Sequence, residues 1–108
     1  MTALTILRYV LVAIFVGSGA SKLAGVGFVR EEFVRWDYPD WFRIAVGVYE
    51  LIGAALLLMP ETVSAGVWWL VLLMLGAIYT HLKTKGQMPR VVLPIAVLAM
   101  LLLVYFKG

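Results

Sequence analysis

The sequence predicts an all-α integral membrane protein: a four-helix transmembrane bundle with a short amphipathic interfacial helix between spans one and two. Three observations carry this. The chain has 108 residues, 64% of them hydrophobic and 14% charged, against about 45–50% apolar and about 25% charged in a soluble domain. Its apolar residues fall into four runs near the length that crosses a hydrocarbon core of about 30 Å at about 1.5 Å per residue. Most of its charged residues sit between those runs. The composition excludes a water-soluble globule, a disordered tail and a module held by nucleic-acid phosphates, so the bilayer, and no nucleic acid, is the expected partner. There is no cysteine, which excludes disulfides, thiolate chemistry, iron–sulfur clusters and CxxC redox couples. With His81 the single histidine, no metal site is expected.

One domain of residues 1–108 accommodates all of the elements. Span one covers about 4–23, from Leu4 to the small and polar end at Gly17, Ser18, Gly19, Ser21 and Lys22. A signal peptide is the competing reading, since Arg8 precedes the apolar stretch and Ser18-Gly19-Ala20 has small residues. It would leave an odd number of spans, so the spanning reading is preferred. Span two covers about 41–59, begins at Trp41 with Arg43 close by, holds Glu50 within it and ends at Pro60. Thr62 is placed to cap span three, about 63–82, which makes spans two and three antiparallel neighbours. Span four covers about 89–106, with a kink expected at Pro94. In the connector, about 27–37, Val26, Val29, Phe33 and Trp36 recur at helical spacing opposite Arg30, Glu31 and Arg35. This predicts a helix lying in the interface with Trp36, Tyr38 and Trp41 at headgroup depth.

Because spans alternate in direction, the 24–40 and 82–89 connections share one side. Lys22, Arg30, Arg35, Arg43, Lys83, Lys85 and Arg90 lie there, against Arg8 and Lys107 on the other. The positive-inside rule puts the long connector in the cytoplasm and both termini outside.

An ionisable residue within a span is expensive, about 2.5–3.5 kcal/mol at a helix centre on the mildest scales, and therefore a candidate for function. Glu50 lies nine residues past Trp41, about 13–14 Å below the interface by helical rise. It shares a small-residue face with Arg43, Gly47, Gly53 and Ala54. Ser18 and Lys22 are one turn apart near the end of span one, and Thr80 and His81 lie near the end of span three. Side chains lean toward their own helix amino terminus. Lys22 and His81 then lean into the membrane, and Glu50, on a span running the other way, leans toward them. Lys22, Arg43, Glu50 and His81 are expected to form one polar cluster in the half of the bundle nearest the connector. Each has a plainer reading: Lys22 snorkelling, Arg43 anchoring, His81 capping a helix end, Glu50 paired for structure alone. The four tryptophans and five tyrosines read as interfacial belt before cofactor box.

The run Gly17-Ser18-Gly19-Ala20-Ser21-Lys22-Leu23, then Phe33, Trp36, Pro39, Trp41 and Phe42, then Gly47-Val48-Tyr49-Glu50-Leu51-Ile52-Gly53-Ala54 with Pro60, and finally Thr80-His81, together resemble the DoxX-like family of small four-helix bacterial membrane proteins. The resemblance covers nearly the whole chain. It implies a multi-pass protein of the bacterial inner membrane and points at Ser18, Lys22, Glu50 and His81. Named members of the family are linked to thiosulfate:quinone oxidoreductase, to membrane oxidoreductase complexes in oxidative stress and, distantly, to cargo receptors, so no single reaction is implied.

Three functions are weighed. The first is a quinone-linked redox role, in which Ser18, Lys22, Arg43, Glu50, Thr80 and His81 bind the ligand and Glu50 and His81 act in catalysis as proton carriers. No covalently bound cofactor is expected, a quinone is the expected non-covalent one, and electrons require a partner oxidoreductase subunit. The second is a small-molecule or proton-coupled binding or transport protein acting as a homodimer, with interfaces at Gly47/Gly53 and Gly66/Gly76. The third is a non-catalytic accessory subunit of a membrane complex.

Overall fold

The computed structural model describes residues 3–84 and 88–107. Helix α1 spans Ala3–Ala24, α2 Gly27–Arg35, α3 Asp40–Leu58, α4 Val63–Lys83 and α5 Val92–Lys107, with 3₁₀ turns at Pro60–Thr62 and Met88–Val91. No strand occurs among the described residues. Four of the helical segments are long and apolar enough to cross a membrane, and the molecule is 40 Å in its longest dimension. The expected spans therefore stand, to within a few residues. α1 packs against α3 and α5, and α4 packs against α3 and α5, so the long helices close a ring in the order α1, α3, α4, α5. Lys85, counted among the charges of the connector side, lies outside the described residues.

Local chemistry sets where each helix stops. Gly25 adopts φ 70°, and its N–H and that of Val26 return to the Ser21 and Lys22 carbonyls. This is the left-handed turn that ends helices at glycine. Asp37, at φ 65°, closes α2 in the same way, with the Tyr38 N–H donating to the Phe33 carbonyl. Pro39 then precedes α3. Thr62 does not cap α4 through its side chain. Its hydroxyl donates back to the Leu56 carbonyl at 2.7 Å, satisfying the end of α3 because the turn is too tight for the side chain to face forward. The kink expected at Pro94 is likewise displaced. The 3₁₀ turn at Met88–Val91 absorbs the discontinuity, and Pro94 falls in the first turn of α5, where its missing N–H costs no helical bond.

The core fills the half of the bundle away from the connector. Leu11 from α1, Leu57 from α3, Val67 and Leu70 from α4 and Leu101 from α5 are all completely buried. The outer faces carry exposed Ile52, Leu72, Leu75 and Leu103, as lipid contact requires. Two small-residue contacts bring helices close. A Cβ at Gly19 would lie 2.9 Å from the Gly47 carbonyl oxygen, and a Cβ at Gly47 would lie 2.9 Å from that of Gly19. Leu70 fills the groove over Gly53, where a Cβ would meet it at 2.4 Å. Gly66 is similarly covered by Leu56 and Leu57. Gly47, Gly53 and Gly66 are therefore spent inside the chain and are not available as the dimer interface assigned to them from sequence. Gly76 alone of those four faces open space.

Across α3 and α4, Tyr49 and Trp69 stack with ring centroids 4.3 Å apart. The Trp69 Nε1–H donates to the Tyr49 carbonyl at 2.9 Å and the Tyr49 hydroxyl donates to that of Trp69. Trp68 and Tyr105 join α4 to α5 edge to face at 5.2 Å.

Because backbone atoms, not flexible tips, oppose a new side chain at the α1–α3 crossing, Gly47→Val should destabilise the bundle by about 1–3 kcal/mol. Gly76→Ala should stay within about 0.5 kcal/mol of wild type. Thermal unfolding in detergent followed by circular dichroism measures both, and equal behaviour of the two variants would contradict the close crossing.

Candidate functional site

Lys22 and Glu50 meet across the α1–α3 contact. Lys22 Nζ lies 2.7 Å from Glu50 Oε1, with the carboxylate side chain 4% exposed and the lysine 17%. The two helices are antiparallel, so the lysine reaches back along its own helix, past Gly47, to find a carboxylate deeper in the membrane. A Cβ at Gly47 would stand 3.1 Å from Lys22 Cβ, so the glycine leaves a track for the lysine stem. On the way Nζ donates to Ser18 Oγ at 2.6 Å, the residue one turn earlier on the same face. The backward lean expected of helical side chains thus accounts for the pairing.

Glu50 Oε2 is buried and has no hydrogen-bond partner among the described residues. The Glu50 side chain borders a cavity of about 480 Å³ to which every helix contributes. Ser18, Lys22, Thr80 and His81 line the same cavity, so five of the six residues expected at the site are brought to one space. Arg43 is not among its lining residues. It is 2% exposed and forks onto Asp40, with Nε 3.1 Å from Oδ1 and NH2 3.2 Å from Oδ2. It also donates to the Lys22 backbone carbonyl, which ties the start of α3 to the end of α1. The expected single cluster of Lys22, Arg43, Glu50 and His81 is therefore divided: Lys22 and Glu50 join Ser18 at the cavity, Arg43 joins Asp40 at the helix ends, and His81 stands on the cavity wall against Trp36. Asp40 gave no sequence signal beyond its position at a helix start, where an acidic residue is favoured in any case.

The connector side of the cavity is closed by an aromatic cluster. Phe33 is buried and stands 4.9 Å from Trp36, 6.3 Å from Tyr38 and 6.4 Å from Phe42, ring centroid to ring centroid. All four line the cavity. Trp36 and Tyr38 are thus turned inward as a lid, whereas Trp41 remains 67% exposed as the interfacial belt predicts. The rings are positioned by polar contacts at their rims. The Tyr38 and Thr80 hydroxyls are 2.8 Å apart, Lys83 Nζ lies 4.5 Å from the centre of the Tyr38 ring, and His81 meets Trp36 edge to face at 5.5 Å. Glu32 of α2 accepts from Arg90 NH1 at 2.8 Å, which straps the lid to the turn before α5. Sequence spacing places Phe33 and Trp36 on one face of the connector, and that face borders the cavity.

The cavity also reaches the outer surface of the bundle. Leu72, Tyr79 and Leu93 line it and are 67%, 64% and 72% exposed. Counting eight residues in each chain direction from the Trp68–Tyr105 contact brings Gly76 opposite Val97, both on the cavity wall. A Cβ at Gly76 would meet nothing within 4 Å, so this side of the cavity wall is open beside the exposed Leu72 and Tyr79. No group of three or more candidate metal ligands occurs among the described residues.

Four spans around a buried ion pair and an apolar cavity define a multi-pass membrane protein with an internal site in one half of its bundle. The chain belongs to the DoxX-like family, whose model matches residues 6–104. It is also similar to a Bacillus subtilis (strain 168) protein described as "Uncharacterized protein YdgD", 30% identical over 95 residues and covering 78% of each chain. No solved structure matches it significantly.

Removing one partner of a buried ion pair leaves the other uncompensated. Lys22→Met should therefore cost about 3 kcal/mol, and Lys22→Met combined with Glu50→Gln should recover most of the loss. A double-mutant cycle of unfolding in detergent tests this, and additive losses would mean the two groups do not interact.

Proposed function

We propose that the bundle binds a small, largely apolar molecule with a compact ring head of quinone-like chemistry, and that Glu50 exchanges a proton with that head. The observation that supports the reading best is Glu50, on the wall of a cavity whose volume lies in the range of small-molecule sites, with its buried Oε2 lacking a partner among the described residues. A buried acceptor without a partner costs about 1–3 kcal/mol or more, which a ligand group would recover. The polar groups fit such a head: a carboxylate acceptor and an ammonium donor at one wall, hydroxyls and an imidazole at another, and aromatic and aliphatic side chains between. A quinone-type ring supplies the electron chemistry that no side chain of this chain offers.

The protein's residues then have separable tasks. Lys22 and Ser18 hold the Glu50 carboxylate in place, and Oε2 takes or returns the proton. Trp36, Tyr38 and Phe33 keep water from the cavity. Thr80 and His81 orient the head from the opposite side. The opening of the cavity at Leu72, Tyr79 and Leu93 lets an apolar tail lie among the lipids. Electrons come from a partner oxidoreductase subunit in the membrane. The structural alternative, in which Lys22–Glu50 only locks α1 to α3, is favoured by the tight glycine crossing beside it. The two readings separate on Glu50→Gln, where lost binding with intact folding supports a site and lost folding supports a lock.

Organic extraction of the purified protein followed by liquid chromatography should recover about one quinone per chain. Titration calorimetry with a short-tailed ubiquinone and with its reduced ubiquinol should show Gly76→Trp, which fills open space on the cavity wall, weakening binding at least fivefold. Quinone-free protein that also fails to bind both the added ubiquinone and its reduced ubiquinol would sink the proposal.

The same reading places the protein in the bacterial inner membrane, as a homodimer or with a partner subunit, with the connector 24–40 in the cytoplasm. With Lys22 and Arg43 taken up inside the bundle, Arg30, Arg35, Lys83, Lys85 and Arg90 still outnumber Arg8 and Lys107. The chain has no cysteine, so single cysteines report cleanly. A membrane-impermeant maleimide applied to intact cells should label Glu61→Cys and spare Arg35→Cys, and the reverse pattern would invert the topology.

A further inference from the structure

The hydrogens of the cavity wall can be followed one at a time. Thr80 Oγ1 has a single hydrogen and donates it to the Gly76 carbonyl at 2.9 Å. The Tyr38 hydroxyl lies 2.8 Å from that same oxygen, so Tyr38 is the donor between them and its own oxygen keeps lone pairs only. Lys22 commits two of its three hydrogens, to Glu50 Oε1 and Ser18 Oγ. Glu50 Oε2, the far oxygen of an ion-paired carboxylate, accepts and does not donate. It is the one of these groups whose capacity is both buried and unmet among the described residues.

We infer that the cavity selects a head that donates hydrogen bonds through hydroxyl groups, taking a phenolic or dihydroxy ring in preference to the same ring bearing carbonyls. This rests on the binding role proposed for the cavity and adds to it the chemical state of the ligand. A carbonyl head could accept the third Lys22 hydrogen or that of the Ser18 hydroxyl, but it would set acceptor against acceptor at Glu50 Oε2, the buried and unmet group, and at the Tyr38 oxygen. A hydroxyl placed at Oε2 makes a charge-assisted bond, the stronger class. An ammonium head could also donate, but Lys22 and Glu50 already balance each other, and a further cation would be a buried charge beside Lys22 with no counter-ion. A neutral hydroxyl meets the acceptor without adding charge. For a quinone-type ligand, the reduced dihydroxy form is therefore the one held, its hydroxyl hydrogen directed at Glu50.

The test varies the ligand, not the fold. Equilibrium dialysis of the full chain in detergent, against 4-nonylphenol and against its methyl ether, compares probes with one ring and one tail that differ in a single donor. Partition into protein-free micelles is measured for each and subtracted. The phenol should bind at least about tenfold more tightly. Glu50→Gln, checked for native helicity by circular dichroism, should reduce that ratio to about threefold or less. Equal binding of the two probes by the wild-type protein overturns the donor preference while leaving the cavity's binding role standing, and failure of both to bind overturns the two together. A phenol preference that survives in folded Glu50→Gln refutes the assignment of the acceptor to Glu50.

Discussion

The rest of the structure depends on placing two opposite charges inside a membrane-spanning bundle. A lone carboxylate at the depth of Glu50 would be expelled or neutralised, and its pairing with Lys22 at 2.7 Å makes the arrangement tenable. That pairing needs α1 and α3 to approach until glycine backbones touch at Gly19 and Gly47. It also needs the two helices to run in opposite directions, so that a long lysine stem can lie along the partner helix. The close crossing and the ion pair are thus one device. The crossing removes side-chain bulk where the lysine must pass, and the lysine then holds the crossing shut on its cavity side.

Two cations that are alike in sequence have different work. Lys22 is a flexible stem with a compact charge and reaches a single buried oxygen, whereas Arg43 is a planar fork that grips both oxygens of Asp40 and a helix-end carbonyl. The carbonyl that Arg43 takes belongs to Lys22 itself. The end of α1 is therefore fastened from outside by arginine at the backbone and from inside by glutamate at the side chain. Rigidity of this kind keeps a polar group at a fixed depth in a medium that would otherwise let it slide toward water.

Much of this could be read from the chain because membrane physics leaves few choices. Runs of about 20 apolar residues must span, a helical stripe of Val29, Phe33 and Trp36 must pack, and Glu50 must be met. Ser18, Lys22, Glu50, Thr80 and His81 line one cavity, and the lean of helical side chains carries Lys22 to Glu50. What could not be read depends on turns and on shared surfaces. Arg43 and Lys22 have the same charge and flank the same connector, and only the folded α1–α3 contact settles that Lys22 reaches Glu50 while Arg43 turns to Asp40. Glycines at Gly47, Gly53 and Gly66 carry the same sequence signal whether they face a neighbour in the chain or a second copy. The hydroxyl of Thr62 could cap forward or backward, and the tightness of the Pro60 turn sent it backward.

The unequal halves of the bundle have one more consequence. On the connector side there is hollow space beneath an aromatic lid. On the other, Leu11, Leu57, Leu70 and Leu101 leave no accessible surface at all, and the Tyr49–Trp69 and Trp68–Tyr105 contacts brace the helices around them. The molecule is accordingly a blind cup sunk in one leaflet. Under the proposed binding role, a molecule held there would stay in the half of the bilayer from which it entered.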